Sequence, residues 1–173
     1  FAFKEKKRTV IQTKKGSIDF NSENSQFNFI THVNKTVDHA HQSIKKIRNI
    51  NSQLRAFEKQ YKDNTAIKDL REKSRKLRED LEEIEKALYQ TKNRSGQDPL
   101  NFPIKLTNKL AHLNSLVSMG DFAPTDQDVA VKNMLTQQIE TELNKFDKLV
   151  NDEVSAFNES FNAMQLNYLF VQE

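Results

Sequence analysis

The chain has 173 residues, a net charge of +3 and only three glycines and three prolines. So few turn formers favour a small number of long helices over many short strands, and the length suits one core. The absence of cysteine excludes disulfide scaffolds, thiolate zinc sites and cysteine nucleophiles, and no apolar run approaches the ~20 residues needed to span a bilayer.

Charge is unevenly spread. Residues 27–62 hold seven Lys or Arg against two Asp or Glu, and residues 121–173 hold three against ten. The first and last long helices are therefore expected to lie side by side, each screening the other's field. Nucleic-acid binding through the basic front half needs a basic face left uncovered, so no nucleic-acid partner is expected.

Residues 1–20 alternate loosely around Val10-Ile11 and Ser17-Ile18-Asp19-Phe20, which predicts one or two short β segments or a linker. The chain starts at Phe1 rather than Met, and it is expected to be a piece of a longer protein. Residues 21–166 form the expected helical bundle domain. The first helix is predicted to start near Ser22 to Ser25, where short polar side chains suit a cap. Its seam runs Ile30, Val33, Val37, Ala40, Ile44, Ile47, Asn51, Leu54 and Tyr61, widened by Phe27, Phe29, Ile50 and Phe57. Asp63 or Asn64 then caps a second helix with the seam Ile67, Leu70, Ser74, Leu77, Leu81, Ile84 and Leu88. Opposite charges four apart line its other faces at Lys68/Glu72, Arg75/Glu79, Lys76/Asp80 and Glu82/Lys86.

Gly96, Pro99 and Pro103 break the pattern, and Leu100 and Phe102 are expected to anchor this connection onto the bundle. A short third helix is predicted from about Pro103 to Ser118 through Leu106, Leu110, Leu113 and Val117, stopped by Gly120. Thr125, followed by Asp126 and Asp128, predicts a capped fourth helix running to about Met164, with Leu135, Ile139, Leu143, Phe146, Val150, Phe157, Phe161 and Met164 inward. Residues 167–173 form an apolar tail, in which Tyr168 to Val171 suit a strand. The expected fold is mainly α: an up-down antiparallel bundle of three long helices, completed by the short third helix and its loop as a fourth column.

Candidate chemistry is sparse. His32 and His39 lie seven apart and His112 is isolated, which is poor metal-ligand spacing, and no metal or cofactor is expected. Glu79, Asp80, Glu82, Glu83 and Glu85 read as a solvated face with nothing to raise a carboxyl pKa for acid catalysis. Arg94 and Asp98 in the 90–103 loop are expected to cap nearby helix ends or to form part of a contact surface.

The run from Ala87 through Arg94, Asp98, Leu100, Phe102 and Ile104, with Asn108-Lys109-Leu110, Gly120-Asp121 and Pro124-Thr125-Asp126-Gln127, resembles the C-terminal helical region of bacterial sortilin-like (VPS10-type) propeller proteins. These carry BNR, or Asp-box, repeats and are often labelled glycosyl-hydrolase-like or sialidase-like. The likeness covers roughly residues 20–165 and is specific around 87–127. It implies an exported protein, periplasmic, surface-bound or secreted, whose glycan chemistry would reside in the propeller. No Asp box and no Trp is present, so no catalytic residue carries over. The function expected is a non-catalytic interaction or structural module that packs on the propeller, holds a protein partner or self-associates into a homo-oligomer. Arg94, Asp98, Leu100, Phe102, Phe122, Tyr168 and Phe170 are the candidate surface. The first alternative is an accessory role at the parent's glycan site through Arg94 and Asp98, and the second is nucleic-acid binding through the basic N-terminal half.

Overall fold

A computed structural model describes the backbone of residues 20–92 and 101–166, with side chains from residue 25 onward. Over these residues the protein is helical: α1 (Phe20–Gln60), a 3-10 turn (Thr65–Ile67), α2 (Lys68–Leu88), α3 (Leu106–Val117), α4 (Asp126–Leu149), a π turn (Val150–Val154) and α5 (Ser155–Ala163). The β segments expected in 1–20 and 167–173 fall outside the described residues, except that Phe20 is already helical. Helix α1 thus begins ahead of Ser22 to Ser25, and those residues are not its cap.

The helices form three columns rather than four. Helix α2 runs back along the C-terminal half of α1, because Arg48 meets Glu85 and Arg55 meets Glu82. Helix α3 continues in the same direction along the N-terminal half. Asn114 donates to Asn34 at 3.0 Å and Gln26 donates to the Val117 carbonyl at 2.8 Å. The third column, α4 through α5, runs parallel to α1. Lys132 sits over the Phe29 ring at one end, and Phe157 and Phe161 pack on Phe57 at the other. Length explains the arrangement. At 1.5 Å per residue, the 41 residues of α1 span roughly 60 Å, whereas the 21 of α2 span roughly 30 Å. The 12-residue α3 covers the α1 face that α2 leaves open, so it extends a column instead of adding one.

The seams meet along the axis. Val33, Ala40 and Ile47 from α1, Leu81 and Leu88 from α2, Leu110 from α3 and Ile139 from α4 are wholly enclosed. Every expected α2 seam position is buried, Ser74 included. Phe57, Tyr61, Phe157 and Phe161 close the far end with tilted and edge-on ring contacts at 5.3–5.9 Å. Two expected apolar positions are exposed: Phe27 faces away from the columns that cover Gln26 and Phe29 beside it, and Met164 follows the last residue of α5.

Local chemistry sets the boundaries. The Asn64 side chain accepts from the Ala66 N–H and starts the 3-10 turn that leads into α2. Thr125 and Asp128 form a reciprocal capping box at the start of α4. Helix α3 starts at Leu106, not Pro103, because the Pro103 carbonyl is already held by the Gln90 side chain at 2.8 Å. The fourth helix reaches Ala163 as expected, but with a π turn inside it. Inward residues step Leu135, Ile139, Leu143, Phe146, Val150, Val154, Phe157 and Phe161. That is 26 residues (161 minus 135) for seven steps, against roughly 25 for seven straight α turns. One wider turn absorbs the extra residue and keeps Phe157 and Phe161 facing the core. Gln165, at φ 51°, then ends α5 in the left-handed region, and Leu166 folds back onto the core.

Candidate interaction surfaces

The polar face lies between α1 and α2. Arg48 Nε bonds Glu85 at 2.7 Å and stacks its guanidinium over the Tyr89 ring at 5.6 Å. Arg55 bonds Glu82 at 3.0 Å. Deeper in, Glu58 accepts from Arg78 at 2.7 Å and from the Ser74 hydroxyl at 2.7 Å. Arg71 donates to the carbonyls of Tyr61 and Lys62 and so closes the end of α1. An open polar cleft of about 660 Å³ follows this line, bordered by Arg48, Asn51, Arg55, Glu82, Glu85 and Tyr89.

These contacts revise the charge reading. Glu85 is buried rather than solvated, since α1 covers it through Arg48. Burial raises the Glu82 carboxyl pKa, but the Arg55 hydrogen bond and the charges of Lys86 and Arg55 outweigh it, so the net shift is downward. Lys68/Glu72 and Glu82/Lys86 close as expected at 3.9 and 3.5 Å, whereas Arg75/Glu79 and Lys76/Asp80 do not. Arg48, Arg55 and Arg78 each pair with a carboxylate across the helix pair, and the Arg48 and Arg55 side chains stay 55% and 62% exposed. His32, His39, His41 and His112 are all exposed, and His41 meets the Tyr89 ring edge-on at 6.3 Å. Among the described residues no cluster of three His, Asp or Glu is arranged to hold a metal, and no helix is long and apolar enough to cross a membrane.

The structure separates the candidate surface residues. Arg94, Asp98, Leu100, Tyr168 and Phe170 lie outside the described residues. Phe102 is half-buried with Lys92 Nζ 5.7 Å from its ring centre. The connection around it is closed by two residues that the periodicity does not single out. Gln90 bonds Pro103 O and accepts from the Lys92 N–H at 3.2 Å, and the buried Thr107 hydroxyl donates to the Leu88 carbonyl at 2.9 Å. Their one sequence signal is position: polar side chains at the lips of a helix break, where backbone groups lose their helical partners.

Phe122 is different. It stands 80% exposed in the turn between α3 and α4, beside Met119 at 82%. Phe27, 68% exposed, and the exposed Leu116 lie at the same end of the bundle, where α1 begins and α3 finishes. The turn is built, not loose. Gln26 donates to the carbonyls of both Val117 and Gly120 and ties it to α1. The Phe122 ring rests on Gly120, where a Cβ would come within 2.9 Å of Cδ2, so glycine is needed for this ring position. The capping box then fixes the start of α4. A neighbouring groove is lined by Phe29, His32, Pro124, Val129 and Lys132. Asp121 and Asp126 are exposed at this end, and the half-buried Asp128 carboxylate is taken up by the capping box. Exposed aromatic and Met side chains grouped on a rigid frame suit a contact surface better than chemistry. Comparison with protein-family models, with curated proteins and with solved structures gave no match.

Proposed function

We propose that this chain is a non-catalytic helical interaction module whose contact face is the end carrying Phe27, Leu116, Met119 and Phe122. The observation that carries the reading is the pairing of high exposure with fixed backbone at Met119 and Phe122. Leaving two large apolar side chains in water is costly unless something covers them, and rigid presentation lowers the entropy cost of covering them. The segment whose resemblance to the sortilin-like propeller proteins is most specific, residues 87–127, includes this turn. On that likeness the setting is an exported bacterial protein, and the face serves contact within that larger protein or with its partner.

The test is oxidation of Met119. Peroxide is applied to the producing culture, and sulfoxide formation is followed by peptide mass spectrometry against the urea-unfolded chain. Met119 is expected to oxidise several-fold more slowly in the culture. Equal rates in culture and urea show that nothing covers the face and refute the proposal.

A further inference from the structure

The polar cleft between α1 and α2 carries side chains placed as a ligand would need them. Arg48, Asn51, Ser52 and Arg55 all line it, and at spacings of three, four and seven residues they share one face of α1. Along the helix axis the two arginines stand roughly 10 Å apart, with Asn51 and Ser52 between them. At about 660 Å³ the cleft has the size of a small-molecule site.

Its spare valence is cationic. Arg48, Arg55 and Lys86 stand against Glu82 and Glu85, three cations to two carboxylates. Both carboxylates are already engaged: Glu85 accepts from Arg48 Nε at 2.7 Å, and Glu82 accepts from Arg55 at 3.0 Å. A guanidinium has five N–H donors, and each of these pairs uses one of them. The donors left over fit further carboxylates. Arg48 is also held in place, since the Nε bond and the Tyr89 ring under its guanidinium fix where its outer nitrogens stand.

Asn51 asks for something else. It is buried, and its Oδ1 has no donor among the described residues. The last torsion of an amide is soft, so Oδ1 can turn toward the cleft and accept from a ligand. A hydroxyl suits that place better than an ammonium, because cations are already in excess there. A polar residue that breaks an apolar seam without a partner is the kind of local conflict that binding sites leave in a sequence.

We propose that this cleft binds a small hydroxypolycarboxylate, with one carboxylate on Arg48, another on Arg55 and a hydroxyl between them on Asn51. The site uses none of the residues of the apolar end.

Calorimetric titration of the full chain with citrate, and with tricarballylate, the same tricarboxylate without the hydroxyl, tests this. Citrate is expected to bind saturably and at least about tenfold more tightly than tricarballylate, because the analogue leaves Asn51 without a donor. Asn51→Leu is expected to erase that difference while its helical circular dichroism is kept. Arg48→Gln and Arg55→Gln are each expected to weaken both acids by about tenfold. Equal affinity for the two acids overturns the proposal. So does an absence of saturable citrate binding, or a citrate preference that survives Asn51→Leu.

Discussion

Two polar residues sit on the heptad seams, and the structure assigns them opposite energetic signs. Asn51 is 6% exposed, and its Oδ1 has no hydrogen-bond partner among the described residues. Ser74 is fully enclosed, but its hydroxyl donates to Glu58 at 2.7 Å. A buried acceptor without a donor costs about 1–3 kcal/mol. Asn51→Leu removes that cost and adds apolar burial, which the polar neighbours Arg48 and Glu85 reduce. We take the sum as a gain of roughly 2 kcal/mol, or a Tm rise of about 4–8 °C for a chain of this size. Ser74→Ala deletes a hydrogen bond to a charged carboxylate that keeps its Arg78 contact, and a loss of about 1.5 kcal/mol follows. Thermal and urea unfolding by circular dichroism measure both, with an unchanged m-value as the check that both unfolding reactions are alike. A destabilised Asn51→Leu variant refutes the reasoning, because it means that Oδ1 is satisfied in the folded protein. A neutral Ser74→Ala variant refutes the companion argument.

The remaining predictions concern charge, capping and pH. Glu58→Ala is expected to cost about 1–3 kcal/mol, since it strips half-buried Arg78 and buried Ser74 of their acceptor, and a double-mutant cycle with Arg78→Ala should return a coupling above about 0.5 kcal/mol. Thr125→Ala breaks the capping box and is expected to lose about 1 kcal/mol in urea unfolding, with unchanged stability counting against the cap as a boundary device. The Glu82 carboxyl pKa is depressed in the folded state, so its contribution is fully present above the unfolded value of about 4.3 and is lost as pH falls through the folded value. Acid titration of stability should show Glu82→Gln losing less than the parent chain below about pH 4.3, and parallel curves would contradict this assignment.

The three- and four-residue spacing made the helices legible because burial along one stripe is what a helix records in its sequence. For α2 every expected seam residue from Ile67 to Leu88 is buried, but Glu85, which reads as solvated, is buried as well. The spacing does not record which side of a wide apolar face a neighbour covers or where the last column stops, and so Phe27 and Met164 read as core yet stand exposed. Nor does it see across helices. The spacing rule finds Glu82/Lys86, but the shorter pairs Arg48/Glu85 and Glu58/Arg78 join residues 37 and 20 apart. The three-column arrangement was missed for a related reason: it follows from comparing the lengths of α1, α2 and α3, which no single window contains. The π turn left a trace that counting steps would find, since the α4 pattern carries one residue more than a straight helix accommodates over Leu135 to Phe161.

The candidate site shows the same division more sharply. Phe122 reads as an apolar residue in a turn, and it is one; Gly120 reads as a helix stop, but α3 is already capped at Ser118 and Gly120 does not take the left-handed conformation of a terminating glycine. Their connection is spatial: the Phe122 ring lies on Gly120, whose carbonyl accepts from the Gln26 side chain 94 residues away. A Cβ at position 120 would come within 2.9 Å of the Phe122 ring, and the exposed ring would have to shift to admit it. The glycine contact and the Gln26 bonds to Val117 and Gly120 have no periodic signature. The apolar members of the face come from α1, the end of α3 and the turn, so no helical wheel displays them together. Phe122 is legible as a surface candidate from its turn, but exposed apolar residues drawn from α1, α3 and the turn share one end of the bundle only once the columns are aligned.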